Sequence, residues 1–196
     1  MAKHGDEKEL QYLARMEAQV NKLTKLINDL LDISKMQTGK LVYQGETFDL
    51  NLLVHEIVEN KQETTHTHQL LLEDEIQITV FGDRDRIGQV LINLLNNAIK
   101  YSPQADQVVV RVTKDHNNAI ISVKDFGIGI AKEQQQKIFE RFYQVADEKT
   151  YPGLGIGLSI SSEIIERHNG QIWVKSERGE GATFYFSLPL HSKHSS

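Results

Sequence analysis

Three groups of residues in this chain have the types and spacing for chemistry. Asn93, Asn97 and Lys100 stand at i, i+4 and i+7, so they share one edge of any helix that forms there. A carboxamide oxygen is a hard ligand suited to Mg²⁺, and a lysine one turn on can meet phosphate oxygens. Asp125-Phe126-Gly127-Ile128-Gly129 sets a carboxylate before a glycine-rich turn. It admits three readings: a magnesium-holding Asp-Phe-Gly triplet, a carboxylate at a strand end beside a turn loose enough for a flat ring, or a plain turn. Gly153-Leu154-Gly155-Ile156-Gly157-Leu158 opens a predicted helix, where unpaired backbone N–H groups and the positive dipole end can receive an anion.

Several sharper motifs are excluded. The Asp-Phe-Gly reading needs a glycine-rich loop before a strand lysine and a His-Arg-Asp catalytic loop upstream, and the sequence holds neither. The later glycines do not form a Walker loop, because no Gly-Lys-Ser/Thr follows, and no strand leads directly into them as a dinucleotide fold requires. His55-Glu56 lacks a second histidine four residues on, so it is not a zinc-protease motif. His66 and His68 have no further ligands nearby and read as a polar connector.

The elements that must carry these groups follow from periodicity. Residues from about Leu10 to Gln37 read as one long helix, with Leu13, Met16, Val20, Leu23, Ile27 and Leu30 in the three-four alternation of a bundle seam. Leu26, Leu31 and Ile33 widen that stripe, and Thr38-Gly39-Lys40 supplies a stop. Asp49 is placed to cap a second helix containing Leu50, Leu53, Val54, Ile57 and Val58. Short strands are expected over Gln69–Leu72 and Glu75–Phe81, with Gly82-Asp83 as the break.

Asp83 to Tyr101 reads as a helix burying Ile87, Val90, Leu91, Leu94, Leu95 and Ala98. Three asparagines among residues 93–97 are poor helix formers and point to a task other than helix stability. Ser102-Pro103 ends it. Val108–Thr113 and Ala119–Val123 form a predicted hairpin around His116-Asn117-Asn118, and its second strand delivers Asp125. A Gln-rich helix start then leads into the aromatic Ile138–Tyr143, and Asp147–Pro152 is polar. The glycine-led helix runs to about His168 and stops at Asn169-Gly170; Ile172–Ser176 and Thr183–Leu188 close the chain as strands before a tail, residues 191–196, expected to be disordered.

Composition narrows the function classes. At 196 residues and 39% hydrophobic, the chain is long enough for one ordinary domain plus an appendage. A net charge of -5 argues against a nucleic-acid partner, which wants a basic face. With no cysteine, disulfides and thiolate metal sites are excluded. No apolar run approaches the roughly 18 residues of a membrane span, and the first six residues lack a signal peptide's apolar core. The expected location is cytoplasmic, with a parent protein free to carry a membrane anchor.

Five spaced elements stand in order: Asn93…Asn97-Ala98-x-Lys100-Tyr101, Asp125-x-Gly127-x-Gly129, Phe139…Phe142, Gly153-x-Gly155-x-Gly157 and Gly179-x-Gly181-Ala182-Thr183. Together they resemble the N, G1, F, G2 and G3 boxes of sensor histidine kinases, in the superfamily shared with gyrase, mismatch-repair and chaperone ATPases. The resemblance covers about Leu10 to Leu190. Leu30-Leu31-Asp32-Ile33-Ser34-Lys35 is similar to the second helix of that family's dimerisation hairpin.

The resemblance implies an α/β sandwich of the Bergerat type, a mixed β-sheet layered against helices and preceded by one long bundle helix. It implies a hairpin helix over residues 1–40 and an ATP-binding catalytic domain over 41–190. The activity implied is transfer of the γ-phosphoryl of Mg-ATP to a histidine on the dimerisation helix of the same or a partner subunit. From there it would pass to an aspartate on a response-regulator receiver domain, with the full-length protein a homodimer.

Residue roles carry over likewise. Asn97 would be the Mg²⁺ ligand, Asn93 would lie near the phosphates and Lys100 would contact them, while Tyr101 would flank the adenine. Asp125 would accept from the adenine amino group, and Gly127 and Gly129 would give the ring room. An acceptor-only carboxylate against a donor amine distinguishes adenine from guanine. Gly153, Gly155 and Gly157 would bring the lid and helix start to the phosphates, and Ile130, Leu154, Leu158 and Thr183 would complete the nucleotide-binding set.

Two departures stand out. The family often has a basic residue soon after the aromatic box, where this chain has Gln144; Arg141 and Lys149 are the candidate substitutes. The phosphoacceptor histidine, with its acidic neighbour and later proline, is expected on a helix before Leu10, so the chain reads as a truncated catalytic fragment. Hydrolytic members of the superfamily usually carry Glu where Asn93 stands; an amide cannot take a proton at neutral pH, so Asn93 favours transfer over hydrolysis. A degenerate domain that holds nucleotide and scaffolds partners is the non-enzymatic alternative.

Overall fold

The computed structural model describes residues 43–74, 77–145 and 154–190, with residues 12, 13, 16, 17, 19, 20, 23, 24, 26–28, 30–32 and 34 of the leading segment. The chain divides into two compact units, Met1–Val42 and Tyr43–Ser196. In the first, every described residue between 12 and 34 is helical, and this helix is α1. Leu13, Met16, Val20, Leu23, Ile27 and Leu30, the expected seam, each expose half or more of their surface. The ends of α1, including Thr38-Gly39-Lys40, lie outside the described residues, as does the tail after Leu190.

The second unit is an α/β sandwich. Its elements run β1 (Glu46–Asp49), α2 (Leu50–Thr64), β2 (Gln69–Asp74), β3 (Thr79–Gly82), α3 (Arg84–Tyr101), β4 (Gln107–Asp115), β5 (Asn118–Lys124), α4 (Gly157–Arg167), β6 (Ile172–Ser176) and β7 (Ala182–Pro189). A five-stranded sheet has the order β2-β4-β5-β7-β6, and β1 pairs with β3 in a separate two-stranded sheet. The sheet is mixed. β2 runs parallel to β4, as the intervening β3 and α3 allow, and the other pairs are antiparallel.

Alternation along the strands sorts their side chains onto two faces. Val110, Val123 and Phe184 are cross-strand neighbours, as are Val112, Ile121 and Phe186, and all are buried on the face that the helices cover. On the opposite face Lys124, Thr183 and Lys175 align, and Ser122, Tyr185 and Trp173 form the next row. The Trp173 and Tyr185 rings stack there with centroids 5.2 Å apart.

Local sequence accounts for the helix ends. Asp49 caps α2 by accepting from the N–H groups of Asn51 (2.9 Å) and Leu52 (3.2 Å). Asp49→Ala is expected to lower stability by about 1 kcal/mol, the usual worth of such a cap, measured by urea unfolding. Asp83 caps α3 through the Arg86 N–H, and α3 buries Ile87, Val90, Leu91, Leu94, Leu95 and Ala98, as its spacing predicts. Asn169, at φ +56, stops α4 in the left-handed conformation that asparagine tolerates.

The segment before the aromatic box departs from expectation. It forms two short 3₁₀ turns, Lys132–Gln134 and Lys137–Phe139, with Ile138 the one buried residue between them. Lys132-Glu133-Gln134-Gln135-Gln136 has no apolar stripe to bury, so nothing sustains a longer helix.

Candidate functional site

The first two predicted clusters meet at the C-terminal end of α3. Asp125 follows β5 and is 3% exposed. Its Oδ1 accepts from the N–H of Gly127 (2.9 Å) and of Ala182 (3.1 Å), while its own N–H donates to the Ala182 carbonyl (2.8 Å). Both side-chain bonds land on one oxygen, and Oδ2 has no partner among the described residues. Burial pushes the carboxyl above the ordinary aspartate range, against the opposing pull of those two N–H groups.

The turn after Asp125 is wedged between two backbones. A Cβ on Gly127 would lie 2.0 Å from the Tyr101 carbonyl oxygen, which accepts from the Ile128 N–H (3.2 Å). Gly129 adopts φ +66, and a Cβ there would lie 1.9 Å from the Glu177 carbonyl oxygen. Only glycine fits both approaches. The Ile130 N–H donates to Ser176 Oγ (2.8 Å), whose hydroxyl donates to the Gly181 carbonyl (2.6 Å). Gln135 Nε2 fastens the same strip by donating to the Ile130 and Ser176 carbonyls (3.1 and 2.7 Å).

The first and third clusters meet between α3 and α4. Asn93 Nδ2 donates to Ser161 Oγ (3.0 Å), and that hydroxyl donates to the Gly157 carbonyl (3.0 Å). A Cβ on Gly157 would sit 2.4 Å from Asn93 Oδ1, so the glycine start of α4 lies directly against Asn93. Asn97, one turn on, is half-buried, and its carboxamide makes no hydrogen bond to any described residue. Lys100 Nζ donates to the Tyr101 hydroxyl (3.0 Å) and lies 4.6 Å from that ring's centroid. The Phe142 N–H donates to the Gly155 carbonyl (2.9 Å), which joins the aromatic segment to the glycine turn, with Arg141 exposed beside it. Leu154 is exposed and Leu158 is half-buried in the first turn of α4; Lys149 and Gly153 lie outside the described residues.

Thr183 borders a cavity with Asp125 and Ile130, but its side chain lies across the sheet from Asn93 and Asn97. It pairs with Lys124 and Lys175, on the sheet face away from the helices, because β7 starts at Ala182 and alternation turns the next residue outward. Ala182 takes part instead, through its backbone N–H.

Sequence reasoning missed two buried histidines that hold α3. His68 Nε2 lies 2.9 Å from the Ser102 carbonyl at the helix C-terminus, and Thr67 Oγ1 meets its other ring nitrogen at 2.9 Å. His68 is therefore a fastening of the fold, where the sequence suggested a polar connector. At the other end the Asp83 N–H donates to His168 Nε2 (2.9 Å). A histidine beside an otherwise regular element was the only signal available for either.

A buried carboxylate with one oxygen left open, a turn that excludes any side chain, and a helix start packed against Asn93 suit an adenine nucleotide. The family model described as histidine kinase-, DNA gyrase B-, and HSP90-like ATPase matches residues 82–192. The chain belongs to this family. It is an ATP-binding domain, and the α/β sandwich is the family fold. Among curated relatives, the sensor protein kinase WalK of Staphylococcus aureus is 36% identical over 185 residues, covering 91% of this chain and 44% of its own. The chain thus spans less than half the length of that relative, and 30% of the longer WalK from strain JH9.

Among solved structures, the Acinetobacter baumannii histidine kinase AdeS superposes with a TM-score of 0.74 at 26% identity, covering 92% of this chain and 84% of its own. The catalytic domain of histidine kinase ThkA gives 0.66 at 32% identity, covering 75% of this chain and 96% of its own. Full-length ShkA, solved in complex with AMPPNP, gives 0.78 at 25% identity, covering 93% of this chain and 39% of its own. Among the described residues no helix is long and apolar enough to cross a membrane, and no cluster of three or more His, Cys, Asp or Glu could hold a metal ion.

Proposed function

We propose that this domain is the catalytic part of a sensor histidine kinase, which passes the γ-phosphoryl of Mg-ATP to a histidine on a dimerisation helix. From there the phosphoryl goes to an aspartate of a response-regulator receiver domain. The observation that carries the reading is Asp125 Oδ2, the open oxygen of an otherwise buried carboxylate beside a turn that no side chain can enter. Asp125 reads the adenine amino group, and Tyr101 flanks the ring.

Asn97 supplies a carboxamide oxygen to Mg²⁺, which needs few protein ligands because water and phosphate oxygens complete its shell. Lys100 offers its ammonium to the phosphates, and the N-terminus of α4 presents Gly157 and its neighbours to them. Arg141, exposed next to the glycine turn, is the described basic residue closest in sequence to Gln144 and offers a charge for the terminal phosphate. Mg-ATP, when bound, supplies the phosphoryl group and much of the charge neutralisation that its transfer requires. Asn93 donates to Ser161 and cannot act as a general base, which supports transfer over hydrolysis.

The exposed apolar stripe of α1 supports its assignment to the dimerisation hairpin, and with it a homodimer in the full-length protein.

The decisive experiment supplies a separate acceptor hairpin with ATP and Mg²⁺ and looks for acid-labile phosphohistidine. Nucleotide binding without any phosphohistidine would leave the domain a nucleotide-holding scaffold. Asn97→Ala tests the metal role by calorimetry. The gain in ATP affinity conferred by Mg²⁺ should shrink about tenfold, while affinity in chelator changes little. Equal losses in both conditions would remove Asn97 from the metal.

A further inference from the structure

His168 lies just past the end of α4 and is 5% exposed. The Asp83 N–H donates to its Nε2 at 2.9 Å, and its Nδ1 lies 2.7 Å from the Ile164 carbonyl. A donor faces one ring nitrogen and an acceptor faces the other, so the imidazole is neutral with its proton on Nδ1. The ring rests against the chain at Gly82, where a Cβ would lie 2.7 Å from Cδ2.

Asp83 is the cap of α3. Its Oδ1 accepts from the Arg86 N–H (3.1 Å) and its Oδ2 from the Gln44 N–H (3.1 Å). One imidazole thus joins the C-terminal end of α4 to the N-terminal cap of α3.

A second junction joins the same two helices, where Asn93 meets Ser161 and Gly157. From Asp83 to Asn93 is ten residues along α3; along α4, His168 is seven residues from Ser161 and eleven from Gly157, which together bracket Asn93. At about 1.5 Å per residue the α3 span falls between the two α4 spans, so the junctions act as two rungs between antiparallel helices. Apolar packing alone tolerates small shifts along the helix axes, whereas two directional junctions hold one register. That register decides how Asn97 and Lys100 face the glycine start of α4.

We propose that His168 is a positioning residue: it sets the register of α3 against α4, and through it the phosphate and metal end of the site, without touching the nucleotide. This rests on the nucleotide reading given above. Burial holds the imidazole below the ordinary histidine range, partly offset by the Ile164 carbonyl and the Asp83 carboxylate, in keeping with the neutral tautomer.

The test compares His168→Leu and His168→Gln with the wild-type protein, titrating each with Mg-ATP and with adenosine by NMR. Leucine fills much of the volume and bonds to nothing, whereas the glutamine carbonyl can accept from the Asp83 N–H. His168→Leu is expected to weaken Mg-ATP binding about tenfold and leave adenosine binding, which depends on Asp125, unchanged; His168→Gln should recover most of the loss. Equal weakening toward both ligands, or no recovery with glutamine, would overturn the positioning role.

The wild-type protein supplies an independent check should a variant fail to fold. The ¹⁵N shifts of His168 must show the proton on Nδ1; a proton on Nε2 would break the rung and the proposal with it. Wild-type protein that binds neither ligand would overturn the nucleotide reading itself, whereas a proton on Nε2 in wild-type protein that binds both bears only on His168.

Discussion

Asp125→Asn is expected to weaken ATP binding by about 30- to 100-fold while shifting the unfolding midpoint by no more than a few degrees. The two effects separate because the two carboxylate oxygens have different tasks. Oδ1 accepts from the backbone N–H groups of Gly127 and Ala182, and an asparagine must place its carbonyl oxygen there to keep both bonds. Its NH₂ then takes the position of Oδ2 and points a donor at the adenine amino group, itself a donor. Binding loses one charge-assisted hydrogen bond and gains a clash of donors, while the fold keeps its contacts. The same variant should bind inosine triphosphate better relative to ATP, since the 6-oxo group is an acceptor. Calorimetry with both nucleotides measures the ratio, and an unchanged ratio would remove Asp125 from base recognition.

The carboxyl also sets a pH dependence. Because its pKa in the folded chain lies above the ordinary value, the folded protein holds this proton more tightly than the unfolded one. The group therefore favours folding below about pH 3.9, and that contribution is lost as pH rises through the higher folded value. At neutral pH the ionised carboxylate stands buried at a cost to the empty domain, which a donor from the ligand offsets. ATP should accordingly raise the unfolding midpoint more at neutral pH than in acid.

Gly129→Ala carries the second large effect, this time on the fold. Two costs combine there: a non-glycine residue at φ +66, and a Cβ 1.9 Å from the Glu177 carbonyl oxygen, a backbone atom that no rotamer change can move away. Strain of about 1–2 kcal/mol and overpacking of about 1–3 kcal/mol predict a loss of roughly 2–5 kcal/mol. Gly179→Ala is the control. Gly179 also has positive φ, at +87, but a Cβ there would meet nothing within 4 Å, so only the strain remains. Urea unfolding of both variants isolates the contact, and similar losses in the two would show that the turn has room to spare.

What the sequence could disclose depended on how far apart the interacting residues are. Asp49 caps a helix that begins at the next residue, Asn169 stops its own helix, and the apolar stripe of α3 is a property of α3 alone. These were all readable. The glycine boxes were readable as a set, since their order and spacing carry the information that single glycines lack. The facing of Thr183 was not readable, because it depends on where β7 begins, and a one-residue shift turns a side chain to the other side of a sheet. The histidine fastenings were out of reach for a different reason. His68 and Ser102 are 34 residues apart and Asp83 and His168 are 85 apart, so nothing local marks either pair. The 3₁₀ turns at Lys132–Gln134 and Lys137–Phe139 lacked a stripe whose absence could have been weighed more heavily.

Trp173 is the chain's single tryptophan, and it lies in the row with Tyr185 and Ser122, across the sheet from Phe184, Phe186 and the helices. Excited selectively over the six tyrosines, this one indole reports from the β6–β7 stack, on the sheet face opposite α3 and α4. Its emission should register loss of the β6–β7 stack on unfolding and, on the proposed placement of the phosphates between α3 and α4, change little as ligand binds. A denaturation curve followed at this wavelength therefore keeps the same native and unfolded baselines with and without ATP. The shift in midpoint between the two curves becomes a label-free measure of binding.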